Sequence, residues 1–95
     1  MNPVIDKYGN KRWYDSDGKW HREDGPAIEY ADGDKWWLKH GDWHREDGPA
    51  IDCTNGYKFY YLEDIQYTKE KYWKKIKELN KCKLFKLKDK KIEWL

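Results

Sequence analysis

Residues 20–28 read Trp-His-Arg-Glu-Asp-Gly-Pro-Ala-Ile, and residues 43–51 repeat all nine identically at an offset of 23. A short fixed period implies units that stack on their neighbours, because a unit of this size cannot bury a core alone. The repeat also governs how its polar residues are read. A residue present in every unit serves the stacking, whereas a catalytic residue is needed once.

At the same offset of 23, Pro3, Pro26 and Pro49 align, as do Ile5, Ile28 and Ile51. Trp13 falls on Trp36 and Phe59, Tyr14 on Trp37 and Tyr60, Gly18 on Gly41, and Asn10 on Gly33 and Gly56. Three units are expected, over about 3–25, 26–48 and 49–66. The third decays at Gln66 and Tyr67, as terminal capping units do.

A mean hydropathy of −1.31 with 40% charged residues would suggest disorder in most chains. Seven Trp, eight Tyr and two Phe argue for a folded chain, since each buried ring contributes a large contact area. Leu and Val are few, so the core must be aromatic and the fold thin and elongated. At 95 residues a single domain is expected, with residues 1–66 forming the repeat sheet and 67–95 a basic cap and tail of the same domain.

Charge divides the same way. Residues 1–66 carry nine Lys or Arg against fourteen Asp or Glu, net −5; residues 67–95 carry eleven Lys against four acids, net +7. An acidic body thus joins a basic end, which is either a solvated surface or an electropositive face for an acidic partner. Cys53 and Cys82 are the only cysteines and form no CxxC spacing, so a structural zinc site is not expected. A polar N-terminal stretch and the lack of a long apolar run predict no signal peptide, no membrane span and a cytoplasmic setting with reduced thiols, the host cytoplasm if the chain is phage-encoded.

Asp17-Gly18, Asp32-Gly33, His40-Gly41 and Asn55-Gly56 predict tight hairpin turns that need positive φ. Aromatic runs lie between them at 12–14, 35–38 and 58–62. Ala27-Ile28-Glu29-Tyr30 and Ala50-Ile51-Asp52-Cys53 alternate as strands with one covered face. In Asp24-Gly25-Pro26 and Asp47-Gly48-Pro49, Gly is expected to supply an unusual φ and Pro to fix entry into the next strand. The expected architecture is mainly β, an elongated antiparallel meander of about six short strands with ladders such as Trp13–Trp36–Phe59.

After Gln66 the period changes. Thr68 suits a helix N-cap, and Tyr72, Trp73, Ile76 and Leu79 recur at helical spacing. A helix over 69–81 would press that stripe onto the open end of the sheet, leaving its lysines outside. Residues 83–87 and 92–95 read as two short strands around a Lys-Asp-Lys-Lys turn, or as an extended arm.

With hairpin glycines, aromatic strands and two copies of His-Arg-Glu-Asp-Gly-Pro-Ala, residues 3–66 resemble the MORN repeat, in the divergent form found in small bacteriophage and bacterial proteins. The resemblance implies a single twisted antiparallel sheet that binds or scaffolds other molecules. It also implies, as the expected function, binding and inhibition of a host protein, such as a CRISPR or other nuclease effector of antiviral defence.

His21, Arg22, Glu23, Asp24, Gly25 and Pro26, with His44, Arg45, Glu46, Asp47, Gly48 and Pro49, are the dense polar clusters. Ser16 is the only serine and no cysteine stands with a conspicuous histidine, so nucleophilic catalysis is not expected. Glu46 and Asp47 would need a deep, asymmetric cleft for glycosidase chemistry. Metal binding by His21 and Glu23, or His44 and Glu46, is chemically possible. The expected role is structural instead: Arg22 and Arg45 bridging carboxylates of adjacent units, Asp24 and Asp47 bonding backbone N–H groups, and the histidines linking ladders.

No enzyme, cofactor or metal site is therefore expected. Lys71, Trp73, Lys74, Lys75, Lys77 and Lys81, with Trp37 and Tyr60 from the ladders, are the candidate partner-binding residues. A host protein is the expected partner, nucleic acid fitting only the basic C-terminal part. The alternatives are a sponge for a signalling nucleotide, with Trp37 or Tyr60 stacking the base and Arg22 or Arg45 holding phosphate, and self-assembly through an open sheet edge, as a homodimer or a scaffold.

Overall fold

A computed structural model describes residues 2–80. The expected strands over 83–87 and 92–95 and the helical residue Lys81 lie outside the described residues. The fold is mainly β, an antiparallel meander with one C-terminal helix. Its extents are 58 × 31 × 17 Å, as a thin aromatic-cored sheet requires.

Nine strands are present among the described residues, not six, because side hairpins add β5, β6 and β9. They are β1 (Val4–Ile5), β2 (Lys11–Arg12), β3 (Ile28–Glu29), β4 (Lys35–Trp36), β5 (Leu38–Lys39), β6 (Asp42–Trp43), β7 (Ile51–Asp52), β8 (Lys58–Leu62) and β9 (Ile65–Tyr67). Seven form one sheet in the order β1-β2-β3-β4-β7-β8-β9, and β5-β6 is a separate hairpin. The side hairpins turn tightly. His40 and Gly41 (φ 49° and 86°) close β5–β6, and Glu63 and Asp64 (φ 49° and 69°) close β8–β9. Positive φ at both central residues gives the two-residue turn whose twist matches the strands.

The ladder expected from a constant offset is displaced by one residue. The observed row is Val4, Arg12, Ile28, Trp36, Ile51, Phe59, so Arg12 and not Trp13 stands in line with Trp36 and Phe59. The cause is the first side hairpin. Asp15 N–H donates to Lys19 C=O and Gly18 N–H to Asp15 C=O, a loop one residue longer than the His40–Gly41 turn. Everything before Tyr14 therefore matches the second unit at 24, not 23. With that gap Gly9, Gly33 and Gly56 fall together, and each donates its N–H to the carbonyl three residues back.

The core has two parts. Ala27, Ile28 and Leu38 are buried with Tyr30, Trp36 and Trp43 packed over them. The aromatic row runs Tyr30–Trp36–Trp43–Tyr61, with ring centroids 4.9, 5.0 and 5.7 Å apart. The second part is Tyr60, Leu62, Tyr72 and Ile76 with Tyr67 against it. Here helix α1 (residues 69–80) lies on the end of the sheet. Thr68 caps it, its Oγ1 accepting Lys71 N–H at 3.3 Å. Tyr72 and Ile76, one turn apart, face the sheet and are buried, whereas Trp73 and Leu79 of the same expected stripe stay 37% and 36% exposed.

Candidate functional site

The two Trp-His-Arg-Glu-Asp-Gly-Pro-Ala-Ile segments each make the same joint. His21 is buried at 4% exposure. Its Nδ1 accepts the backbone N–H of His40 at 2.9 Å, and its Nε2 meets Glu23 Oε1 at 2.8 Å. His44 repeats this with Glu63 N–H at 3.0 Å and Glu46 Oε2 at 3.0 Å. An Nδ1 that accepts leaves the proton on Nε2, which then donates to the carboxylate. Each histidine thus ties one unit to the turn of the next side hairpin, as a linking role requires. His21 also stacks on the His40 ring at 3.9 Å.

Arg22 reaches the Glu29 carboxylate of the next unit, the bridge expected of it, whereas the carboxylate that Arg45 pairs with is Asp47 of its own loop. Arg22 donates from Nε to Asp24 at 3.0 Å and from Nη1 to the Pro26 carbonyl at 3.3 Å and Glu29 at 3.2 Å. Arg45 donates to Asp47 at 2.8 Å and the Pro49 carbonyl at 3.0 Å. The guanidinium planes lie over Trp13 at 3.9 Å and Trp37 at 3.6 Å. Arg22 holds the Asp24 carboxyl below its usual range, so Asp24 serves the arginine rather than the Gly-Pro turn.

Gly25 and Gly48 have no positive φ, contrary to expectation. Their role is space. A Cβ at Gly25 would stand 3.0 Å from the Arg22 guanidinium carbon, and one at Gly48 the same distance from that of Arg45. Tyr72 locks the second loop from the helix side, its hydroxyl donating to the Arg45 carbonyl and accepting Gly48 N–H at 3.3 Å. Burial pushes the Tyr72 phenol pKa up.

Between the loops runs a cleft of about 520 Å³, lined by Arg22, Glu23, Trp37, Lys39 and Arg45 among others. Its arginines are committed to internal carboxylates and carbonyls. Arg45 covers a face of Trp37, and Tyr60 is 8% exposed under the helix. Tyr60 therefore offers no open face for base stacking, and Trp37, partly exposed in the cleft, is not on the helix face that carries the lysines. Lys71, Trp73, Lys74, Lys75 and Lys77 are exposed together on α1. None of these lysines forms an ion pair with a described residue. Lys81 lies outside the described residues.

His21, Glu23 and His40 bring three donor atoms within 4.8 Å of one another. The set does not fit a metal. His21 carries its proton on Nε2, the atom a metal would need, and the stacked rings, 23° apart, hold their in-plane lone pairs side by side and not convergent. His40 is instead held by Asp15, 2.7 Å from its Nδ1. That contact, with backbone bonds from Lys19 and Asp17, draws the Asp15 carboxyl down to about 2.

Three inter-unit links escaped the sequence reading. Asn10 Oδ1 accepts Ala31 N–H at 2.8 Å, Asp34 Oδ1 accepts Thr54 N–H at 2.8 Å, and Asp64 Oδ1 accepts Trp43 N–H at 3.1 Å. Asn10 and Asp34 share a position only once the one-residue gap is allowed. No protein-family model matches the chain, and no curated protein or solved structure matches it. The MORN resemblance therefore rests on the motifs quoted above.

Proposed function

We propose that this chain is a non-enzymatic binding module that takes an acidic protein surface on the exposed face of α1. The observation that carries this is Trp73, 37% exposed with Lys77 one turn beyond it on α1, a helix that also exposes Lys71, Lys74 and Lys75, cations without an internal partner among the described residues. A half-exposed tryptophan among cations is the composition of an interface anchor. A protein offering an apolar spot framed by carboxylates suits that face. The net −5 of residues 1–66 repels a polyanion lying along the sheet, which disfavours nucleic acid. Two features support a role without catalysis: the polar motif is engaged in internal bonds, and among the described residues no serine or cysteine is hydrogen-bonded to a histidine. The phage-type resemblance supplies the partner class, a host defence protein that the module would inhibit by occupying its surface.

The test is affinity capture from nuclease-treated bacterial lysate with the full chain and with Lys71→Glu/Lys74→Glu/Lys77→Glu, read by mass spectrometry. A protein held by the parent and lost by a variant that melts like the parent supports the reading. Capture that survives charge reversal, or no capture by either chain, rejects it.

A further inference from the structure

Among the described residues, the two ends of the sheet carry matching unpaired edges. Cys53 N–H donates to Tyr57 C=O at 2.9 Å. Bonded and non-bonded pairs alternate along an antiparallel ladder, so Ile51–Phe59 exchange bonds and Asp52–Lys58 do not. The N–H and C=O of Lys58 therefore face away from β7, and β9 reaches only Tyr60, Tyr61 and Leu62. At the other end Asp6 N–H donates to Asn10 C=O at 3.1 Å, which by the same alternation turns the N–H and C=O of Ile5 away from β2.

Inside the chain, outward groups of this kind meet one another at each junction. Lys11 stands opposite Glu29 between β2 and β3, and Lys35 opposite Asp52 between β4 and β7. Lys58 is the third lysine of this series, and Ile5 holds the position that Glu29 and Asp52 hold. Val4 and Ile5 are 57% and 58% exposed, and Phe59 40%. Beside Phe59 a groove of about 640 Å³ opens between residues 56–60 and 66–69. It lies on the outer side of β8, where the ladder rule places the next strand.

We propose that the chain pairs head to tail with a second copy of itself, β1 of one copy adding to β8 of the next, with Ile5 opposite Lys58 and Val4 opposite Phe59. The contact joins different surfaces, so it does not close at two copies and builds an open array. It uses the sheet edges, and none of Lys71, Lys74 and Lys77 lines the groove.

The test is light scattering of the full chain over a concentration series, with Ile5→Pro and Ile5→Glu. Pro at position 5 removes an N–H that serves no internal bond. The expected result is a parent whose mean mass climbs past two copies with concentration, and an Ile5→Pro chain that stays monomeric and melts like the parent. Ile5→Glu should associate at least as well as the parent, because it places a carboxylate opposite Lys58 as at the internal junctions; this holds even if Ile5→Pro fails to fold. A parent that stays monomeric or stops at two copies overturns the proposal. So does association that survives Ile5→Pro or is lost in Ile5→Glu, the latter marking a merely hydrophobic contact.

Discussion

His44 Nδ1 accepts the backbone N–H of Glu63 across 19 residues of chain, at 3.0 Å. Glu63 has positive φ in a turn with no glycine, and the histidine is part of what holds it there. Replacing His44 by Ala removes that amide's acceptor at an exposed turn, at a cost of about 0.5–1.5 kcal/mol. His21→Ala should cost more, since His21 is buried and also stacks on His40. Urea denaturation of the two variants measures this, and values within about 0.5 kcal/mol of the parent, as for ordinary surface changes, would contradict it.

Gly48→Ala should destabilise by about 1–3 kcal/mol through crowding and not backbone strain. The new methyl meets an Arg45 guanidinium pinned by Asp47, Pro49 and Trp37. A double-mutant cycle separates the causes. With Arg45 already Ala, the Gly48→Ala penalty should largely vanish; an unchanged penalty would place the cost in the backbone.

Tyr72→Phe removes a hydroxyl that serves both Arg45 C=O and Gly48 N–H and keeps the ring in the core. A loss of about 1–3 kcal/mol is expected from the stranded backbone groups. Hydrogen exchange at Gly48 should quicken while the α1 amides hold their protection. Equal stability of variant and parent would show that the ring alone anchors the helix.

The Arg12 guanidinium beside Asp6 holds its carboxyl down at about 2, and Asp15 is held at about 2 by His40 and the Lys19 amide. Both are depressed below the unfolded carboxylate range of about 3.9. Their contribution is therefore complete above about pH 4 and is lost as pH falls toward 2. The part of the acid transition carried by Asp6 and Asp15 should steepen between pH 4 and 2. Asp6→Asn keeps an acceptor for the Tyr8 and Asn10 amides but not the charge, so its profile should be flatter in that window. An equally steep profile would remove Asp6 from the acid transition.

Much of this fold was legible because its turns are written in Gly and Asp, and its helix in Thr68 and the Tyr72–Ile76 spacing. The side-hairpin turn at Glu63–Asp64 was not, since neither residue signals positive φ alone; His44 and the Trp43 link to Asp64 Oδ1 impose it. The ladder register was hidden by the extra residue between Tyr14 and Trp20, which a constant offset cannot see. Of the candidate contact residues, the exposed helix lysines could be placed from periodicity. Trp37 and Tyr60 could not, because Arg45 lies over one face of Trp37 and α1 covers Tyr60, contacts that only the folded chain brings together.

The central claim is that the repeated histidine is a joint between units and not a ligand or catalytic group. Long-range proton–nitrogen correlation spectra of the histidine rings at neutral pH, before and after stoichiometric zinc, test it most directly. The expected result is a proton on Nε2 of both His21 and His44, with resonances that zinc leaves in place. A proton on Nδ1, or an Nε2 resonance that moves with zinc, would contradict it and make the repeated motif a metal site.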